Sequence, residues 1–198
     1  MSSVKEAIRS HVKGQPEGTI FVPKEFLSLG TRASVDQALA RLVKADVLTR
    51  VSRGVYTANI ATRFGTIPPQ VELVIENYAA AKGQEILQNE AIAANRFGLT
   101  TQVPIRHVYI TSGPSRHLRL GKVDVEVRKV PRWLTLYPGR PAGEIIRALS
   151  FVGAREAKTA ASSIRSKVEK EEWRTVLKAK AMLPAWMTSA LAQEANFA

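Results

Sequence analysis

Residues 31–57 read TRASVDQALARLVKADVLTRVSRGVYT, and the pattern changes period half-way along. Up to Lys44, apolar side chains recur at Val35, Ala38, Leu39, Leu42 and Val43. That is the i, i+3, i+4, i+7, i+8 spacing of one buried helix face. Ser34, Gln37, Arg41 and Lys44 fall on the opposite face, and Thr31, Arg32 and Ala33 form the amino end. From Leu48 onward the chain has two short β-type runs, Leu48–Val51 and Val55–Thr57, separated by Ser52-Arg53-Gly54. A helix followed at once by a tight basic hairpin is the pattern of a recognition helix and its wing. The stretch therefore predicts a winged helix-turn-helix.

The residues before it fit that prediction. Ser3-Val4-Lys5-Glu6 is a capping box, and Val4, Ala7, Ile8 and Val12 make a buried stripe that Gly14 and Pro16 end near Lys13. Thr19 to Val22 is a short extended run, suited to pairing with the wing. Pro23 sits at the first position of a short second helix, Lys24 to Leu29, where its missing N–H costs nothing. Gly30 stops that helix and Thr31 caps the next. Three apolar faces can then close on Phe21, Val51 and Tyr56.

Beyond the wing, Asn59, Thr62, Gly65 and Pro68-Pro69 break any period, which places a boundary between a first domain over 1–60 and a second over 66–198. Val71, Val74, Ile75 and Tyr78 begin a helix ending at Gly83, and a less regular one covers Asn89 to Phe97. Between Arg106 and Lys129 the period becomes two: Val108 and Ile110, a Ser112–Ser115 turn, His117 to Leu120, and Val123, Val125 and Val127 after Gly121-Lys122. This reads as a small antiparallel β-meander. From Ala142 the pattern is helical, through Ile145, Ile146 and Leu149, then Ala157, Ala161 and Ile164, then Trp173, Val176 and Leu177. The expected fold is α+β: an amino-terminal winged helix and a carboxy-terminal domain of several helices around a small sheet.

Composition narrows the function. A hydrophobic fraction of 45% supports a packed core rather than disorder. The absence of cysteine excludes disulfides, thiolate metal sites and a cysteine nucleophile. No apolar run approaches the ~18–20 residues that span a bilayer, and no signal-peptide pattern opens the chain, so a cytoplasmic protein without membrane contact is expected. The net charge of +12 favours a polyanionic partner, most often nucleic acid.

A recognition helix needs donors and acceptors that match base edges, and cations that meet phosphate. Thr31, Arg32, Ser34, Gln37, Arg41 and Lys44 offer these from the helix. Gln can bond adenine bidentately, Arg can bond guanine or phosphate, and the helix amino end attracts phosphate. Arg50 and Arg53 would meet flanking phosphates or the minor groove from the wing. Arg96, Arg106, Arg116, Arg119, Lys122, Arg128, Lys129, Arg132 and Arg140 add a second basic stretch, in which Asp124 and Glu126 are the local acids. Arg116 and Arg119 are the further candidate phosphate contacts.

Catalysis has little to stand on. Asp124 and Glu126 share one strand face, as a Mg²⁺-holding pair would, but the solvent side of an ordinary alternating strand explains them. The Ser112-Gly113 order also differs from the Gly-Ser turn of a nucleotidyltransferase. His107 and His117 could face each other across the hairpin, without a third ligand. No P-loop, dinucleotide fingerprint or Ser-His-Asp arrangement is present. No catalytic residue, metal or cofactor is expected.

The ending Leu48-x-Arg50-x-x-Arg53-Gly54-Val55-Tyr56, with the Ser34-to-Leu48 segment before it, resembles the AbiEi-type antitoxins of abortive-infection, type IV toxin–antitoxin systems. One departure is Asp46, where a Gly is common. The resemblance implies a two-domain protein whose winged helix represses its own promoter at inverted repeats in double-stranded DNA. It also implies that the carboxy-terminal domain counteracts a cognate nucleotidyltransferase-like toxin, functionally or directly. An alternative of another class is a winged-helix protein-interaction module without specific DNA binding, for which Trp173, Trp186, Met182, Met187 and Phe197 could furnish a docking surface.

Overall fold

The computed structural model describes residues 3–102 and 104–193. The chain divides into two compact units, one of Met1–Gln84 with His117–Val125, the other of Glu85–Arg116 with Glu126–Ala198.

The first unit begins with helix α1, Val4–Lys13, capped by the Ser3 side chain, which accepts the Glu6 N–H at 3.3 Å. Strand β1 is Ile20–Phe21, and a 3₁₀ helix follows over Pro23–Leu29. The second helix of the expected motif is thus tighter than the α-helix its sequence suggests. It buries Pro23 and Phe26, three residues apart, and side chains at that spacing eclipse along a 3₁₀ helix. The Glu25 carboxylate accepts the Val22 N–H at its start.

Helix α2, Arg32–Lys44, buries Val35, Ala38, Leu39 and Leu42. It ends in a Schellman motif: the Val47 N–H donates to Leu42 O at 3.0 Å and the Asp46 N–H to Val43 O at 3.1 Å. Strands β2, Leu48–Ser52, and β3, Val55–Ala58, form the wing, and β1 completes a sheet of order β1-β3-β2. Ile8, Val12, Phe21, Phe26, Leu39, Leu42, Leu48 and Tyr56 close into one core. These elements, in this order, form a winged helix.

The period-free stretch after the wing is itself ordered. Strands β4, Ile60–Thr62, and β5, Gly65–Ile67, pair antiparallel as a separate hairpin, with Ile60 opposite Ile67 and Thr62 opposite Gly65. Helix α3, Val71–Lys82, follows and ends at Gly83.

After Gly83, β6 is Leu87–Gln88 and α4 is Glu90–Arg96, capped by Asn89. Strands β7, His107–Thr111, β8, Arg116–Leu120, and β9, Val123–Lys129, occupy the expected positions, but the sheet order is β6-β7-β9-β8. This corrects the meander: β9 lies between β7 and β8, and β6 adds an edge. Alternation fixes which face a strand buries, not which strand sits beside it. Helix α5, Pro141–Arg165, is interrupted at Gly153, whose φ of 75° and ψ of 176° no helix accommodates. Helices α6, Lys170–Lys178, and α7, Ala185–Gln193, pack with α4 and α5 around Ile145, Ile146, Leu149, Ile164, Trp173 and Met187.

Candidate nucleic-acid interface

The side of α2 away from the core carries Ala33, Gln37, Ala40, Arg41 and Lys44, all exposed. Each lies three or four residues from another of the set, so together they form one stripe. Gln37, Arg41 and Lys44 therefore point together away from the core. Ala33 and Ala40 belong to the same stripe, although nothing in their sequence marks them. Their small side chains leave room for close approach to a groove wall or a thymine methyl.

The amino end is more committed to the fold. Thr31 Oγ1 accepts the Ser34 N–H at 3.3 Å, and the Ser34 hydroxyl donates back to Thr31 O at 2.8 Å. Both side chains are thus engaged in capping α2. Arg32 is exposed but pairs with Asp36 one turn on, Nε to Oδ2 at 2.8 Å. An exposed i, i+4 pair is worth about 0.3–0.5 kcal/mol, so a phosphate would displace Asp36 at small cost.

The wing holds two cations outward. Arg50 stands opposite Tyr56, and the register slips between Arg50 and Ser52, a bulge that leaves Val51 buried and sharpens the local twist. Arg50 Nε also lies 3.4 Å from Ser52 O. Arg53 is exposed at the turn, next to Gly54 at φ 70°, a backbone state that disfavours any larger residue.

Arg116 and Arg119 part company. Arg119 is exposed and belongs to the first unit with the winged helix, as does Lys122. The Gly121 turn between β8 and β9 approaches Pro68 so closely that a Cβ there would lie 2.9 Å from Pro68 Cγ. This packing brings a second basic hairpin into the unit of the wing. Arg116 is half-buried and belongs to the second unit.

The basic stretch is less free than its local sequence suggests, because carboxylates distant in the chain reach it. Arg128 holds both oxygens of Glu90, at 3.0 and 2.9 Å. Arg96 pairs with Glu144 and bonds Gln88 at 2.9 Å. Arg140 pairs with Glu172 at 2.7 Å, and the same carboxylate accepts the Ala142 N–H at the start of α5. Those bonds hold the Glu172 carboxyl below the ordinary glutamate range, its bond from Arg140 first among them, and raise Arg140. Arg147 is 4% exposed, with its guanidinium donating to Leu134 O at 3.5 Å, and loss of hydration lowers its pKa.

Asp124 and Glu126 are exposed on β9 while Val125 and Val127 are buried, the alternation of an ordinary strand. Asp124 lies 3.9 Å from Arg119. His107 and His117 stand on β7 and β8, which are not neighbours in the sheet, so they do not face each other across a hairpin. Among the described residues, no three His, Asp or Glu side chains are grouped to hold a metal ion, and no helix is long and apolar enough to cross a membrane.

Of the side chains considered for a docking surface, Trp173 and Met187 are fully buried, Trp186 is half-buried and Met182 is exposed. Phe197 lies outside the described residues.

Residues 7–177 match DUF6088, a family of unknown function, and the chain belongs to that family. The match runs from α1 to the last turn of α6, so the winged helix and most of the second unit fall within one family architecture. No curated protein matches the chain.

Proposed function

We propose that this protein is a sequence-specific double-stranded DNA-binding protein, a transcriptional autorepressor that serves as the antitoxin of a type IV toxin–antitoxin pair. The observation that carries the DNA-binding part is the exposed stripe of Gln37, Arg41 and Lys44 on α2, in one compact unit with the outward cations Arg50 and Arg53. Gln37 and Arg41 supply base-edge chemistry, whereas Lys44, Arg50 and Arg53 supply affinity through phosphate. Thr31 and Ser34 keep the amino end of α2 in shape, and their backbone end can take a phosphate.

The antitoxin part rests on the AbiEi-like ending Leu48 to Tyr56. The position where that resemblance departs is conformationally conservative, since Asp46 adopts φ 52°, a backbone state that glycine enters freely. The partner implied is a nucleotidyltransferase-like toxin.

Titration of the protein against its own upstream DNA and a scrambled duplex at ~150 mM salt tests the first part. A preference of ~10³ or more for the upstream DNA is expected. Equal, weak binding to both would refute it and favour a protein-interaction module. Co-expression with the adjacent gene's product tests the second part: relief of growth arrest is expected, and unrelieved arrest would overturn the antitoxin assignment alone.

A further inference from the structure

We infer that the β4–β5 hairpin is a second, aromatic-tipped wing that enters the minor groove of duplex DNA; the inference rests on the DNA-binding reading above. Its tip is Arg63-Phe64. Phe64 is 85% exposed, and the Arg63 guanidinium carbon lies 4.6 Å from the Phe64 ring centroid. The turn is locked by one side chain: the Thr62 hydroxyl donates to Gly65 O at 2.7 Å and accepts the Phe64 N–H at 3.2 Å.

The hairpin's root is fixed as well. Asn59 donates through its side chain to Asp46 O at 3.0 Å and accepts from the Thr49 hydroxyl at 2.6 Å, while its N–H bonds Val47 O at 2.9 Å. These bonds fasten the start of β4 to the turn that ends α2 and to the first strand of the wing. An isolated two-stranded hairpin is marginal in water, yet this one is held at both ends and exposes Ala61 to Ile67 throughout. Such order gains nothing from burying Phe64 within the chain.

Charge and shape identify what would cover the tip. Residues 58–70 contain one cation, Arg63, and no acid, so nothing on the ribbon repels a polyanion. A narrow ribbon ending in one large ring is too small for a stable protein interface, which takes roughly 800 Å² from each partner. It suits a groove: the guanidinium meets the negative potential there, and the ring wedges against a base step and opens it.

The test uses the full-length protein on its own upstream duplex, with DNA bending read by energy transfer between labelled ends. Phe64→Ala is expected to weaken binding about tenfold and reduce the bend, while Phe64→Trp retains both. Arg63→Ala is expected to lower the salt slope by about 1. An unchanged circular dichroism spectrum is expected for each variant, as these side chains are exposed. Affinity within twofold of wild type and an unchanged bend for Phe64→Ala, while Gln37→Ala loses affinity on the same duplex, would overturn the second wing and leave the DNA-binding reading intact. Absence of preference for the upstream duplex in the wild-type protein would overturn both. A change in sedimentation without a change in DNA affinity would overturn the inference in favour of a contact between copies of the chain.

Discussion

Replacing Asp46 by glycine should stabilise the protein, although it removes a side chain. Asp46 is the residue after the carboxy-terminal cap of α2 and holds φ 52°. The left-handed region costs an L-residue roughly 1–2 kcal/mol, less for Asp than for most, and glycine avoids that cost. Against this stands the extra backbone entropy glycine loses on folding, about 0.5–1 kcal/mol. A third effect favours the change: an acidic group at a helix carboxy terminus opposes the dipole by about 0.3 kcal/mol or more when exposed. Asp46 is exposed, and among the described residues its carboxylate makes no hydrogen bond or ion pair that offsets this. The net expectation is a gain of about 0.5–1 kcal/mol.

A gain of 1 kcal/mol raises the melting temperature by about 2–4 °C if the chain unfolds as one cooperative body, and by about 4–8 °C if the first unit unfolds alone. Urea and thermal denaturation of Asp46→Gly, Asp46→Ala and wild type should separate the causes. Asp46→Ala removes the charge but keeps the strained φ, so it should fall at or below wild type. Equal stabilisation by alanine and glycine would show that charge, not backbone conformation, is responsible. No gain from glycine would refute the reasoning entirely.

The two kinds of proposed DNA contact should separate in binding assays: Gln37→Ala should cost about 1–3 kcal/mol on the cognate site and relax preference there, whereas Arg53→Ala should weaken all sequences alike and lower the salt slope by about 1. Gly143→Ala should be severely destabilising, by about 3 kcal/mol in urea denaturation, because its Cβ would lie 2.3 Å from Tyr137 O and 2.5 Å from Leu136 O, backbone atoms that cannot step aside. Glu172→Gln should lower stability at neutral pH, since the folded state holds that carboxyl below its ordinary pKa of about 4.3. The stability this carboxylate lends is full above the ordinary value and is lost as pH falls through the lowered one, so wild type and variant should converge in acid.

How far the fold could be read from the residues depended on the range of the interactions that decide each part. The winged helix was legible because its determinants are local. The α2 stripe, the Ser3 and Thr31 caps, and the Arg53-Gly54 turn each lie within a few residues of the structure they specify. The β4–β5 hairpin was missed because it has three pairs and is exposed from Ala61 to Ile67, which leaves no alternation to read; the Thr62 hydroxyl and the Asn59 brace hold it. Ala33 and Ala40 were missed in the candidate interface since alanine serves core and surface alike.

By itself the sequence determined the elements of the winged helix and the buried faces of the longer helices and strands, the basic character, and the helix-then-wing order that points to DNA. Tertiary structure alone decided the neighbours. It set β9 between β7 and β8, drew Arg119 and Lys122 into the unit of the wing while leaving Arg116 outside, and brought Glu90, Glu144 and Glu172 to neutralise Arg128, Arg96 and Arg140. The reason is physical: periodicity records what each residue does with water, whereas strand order and ion pairing join residues tens of positions apart, and no local pattern carries that separation.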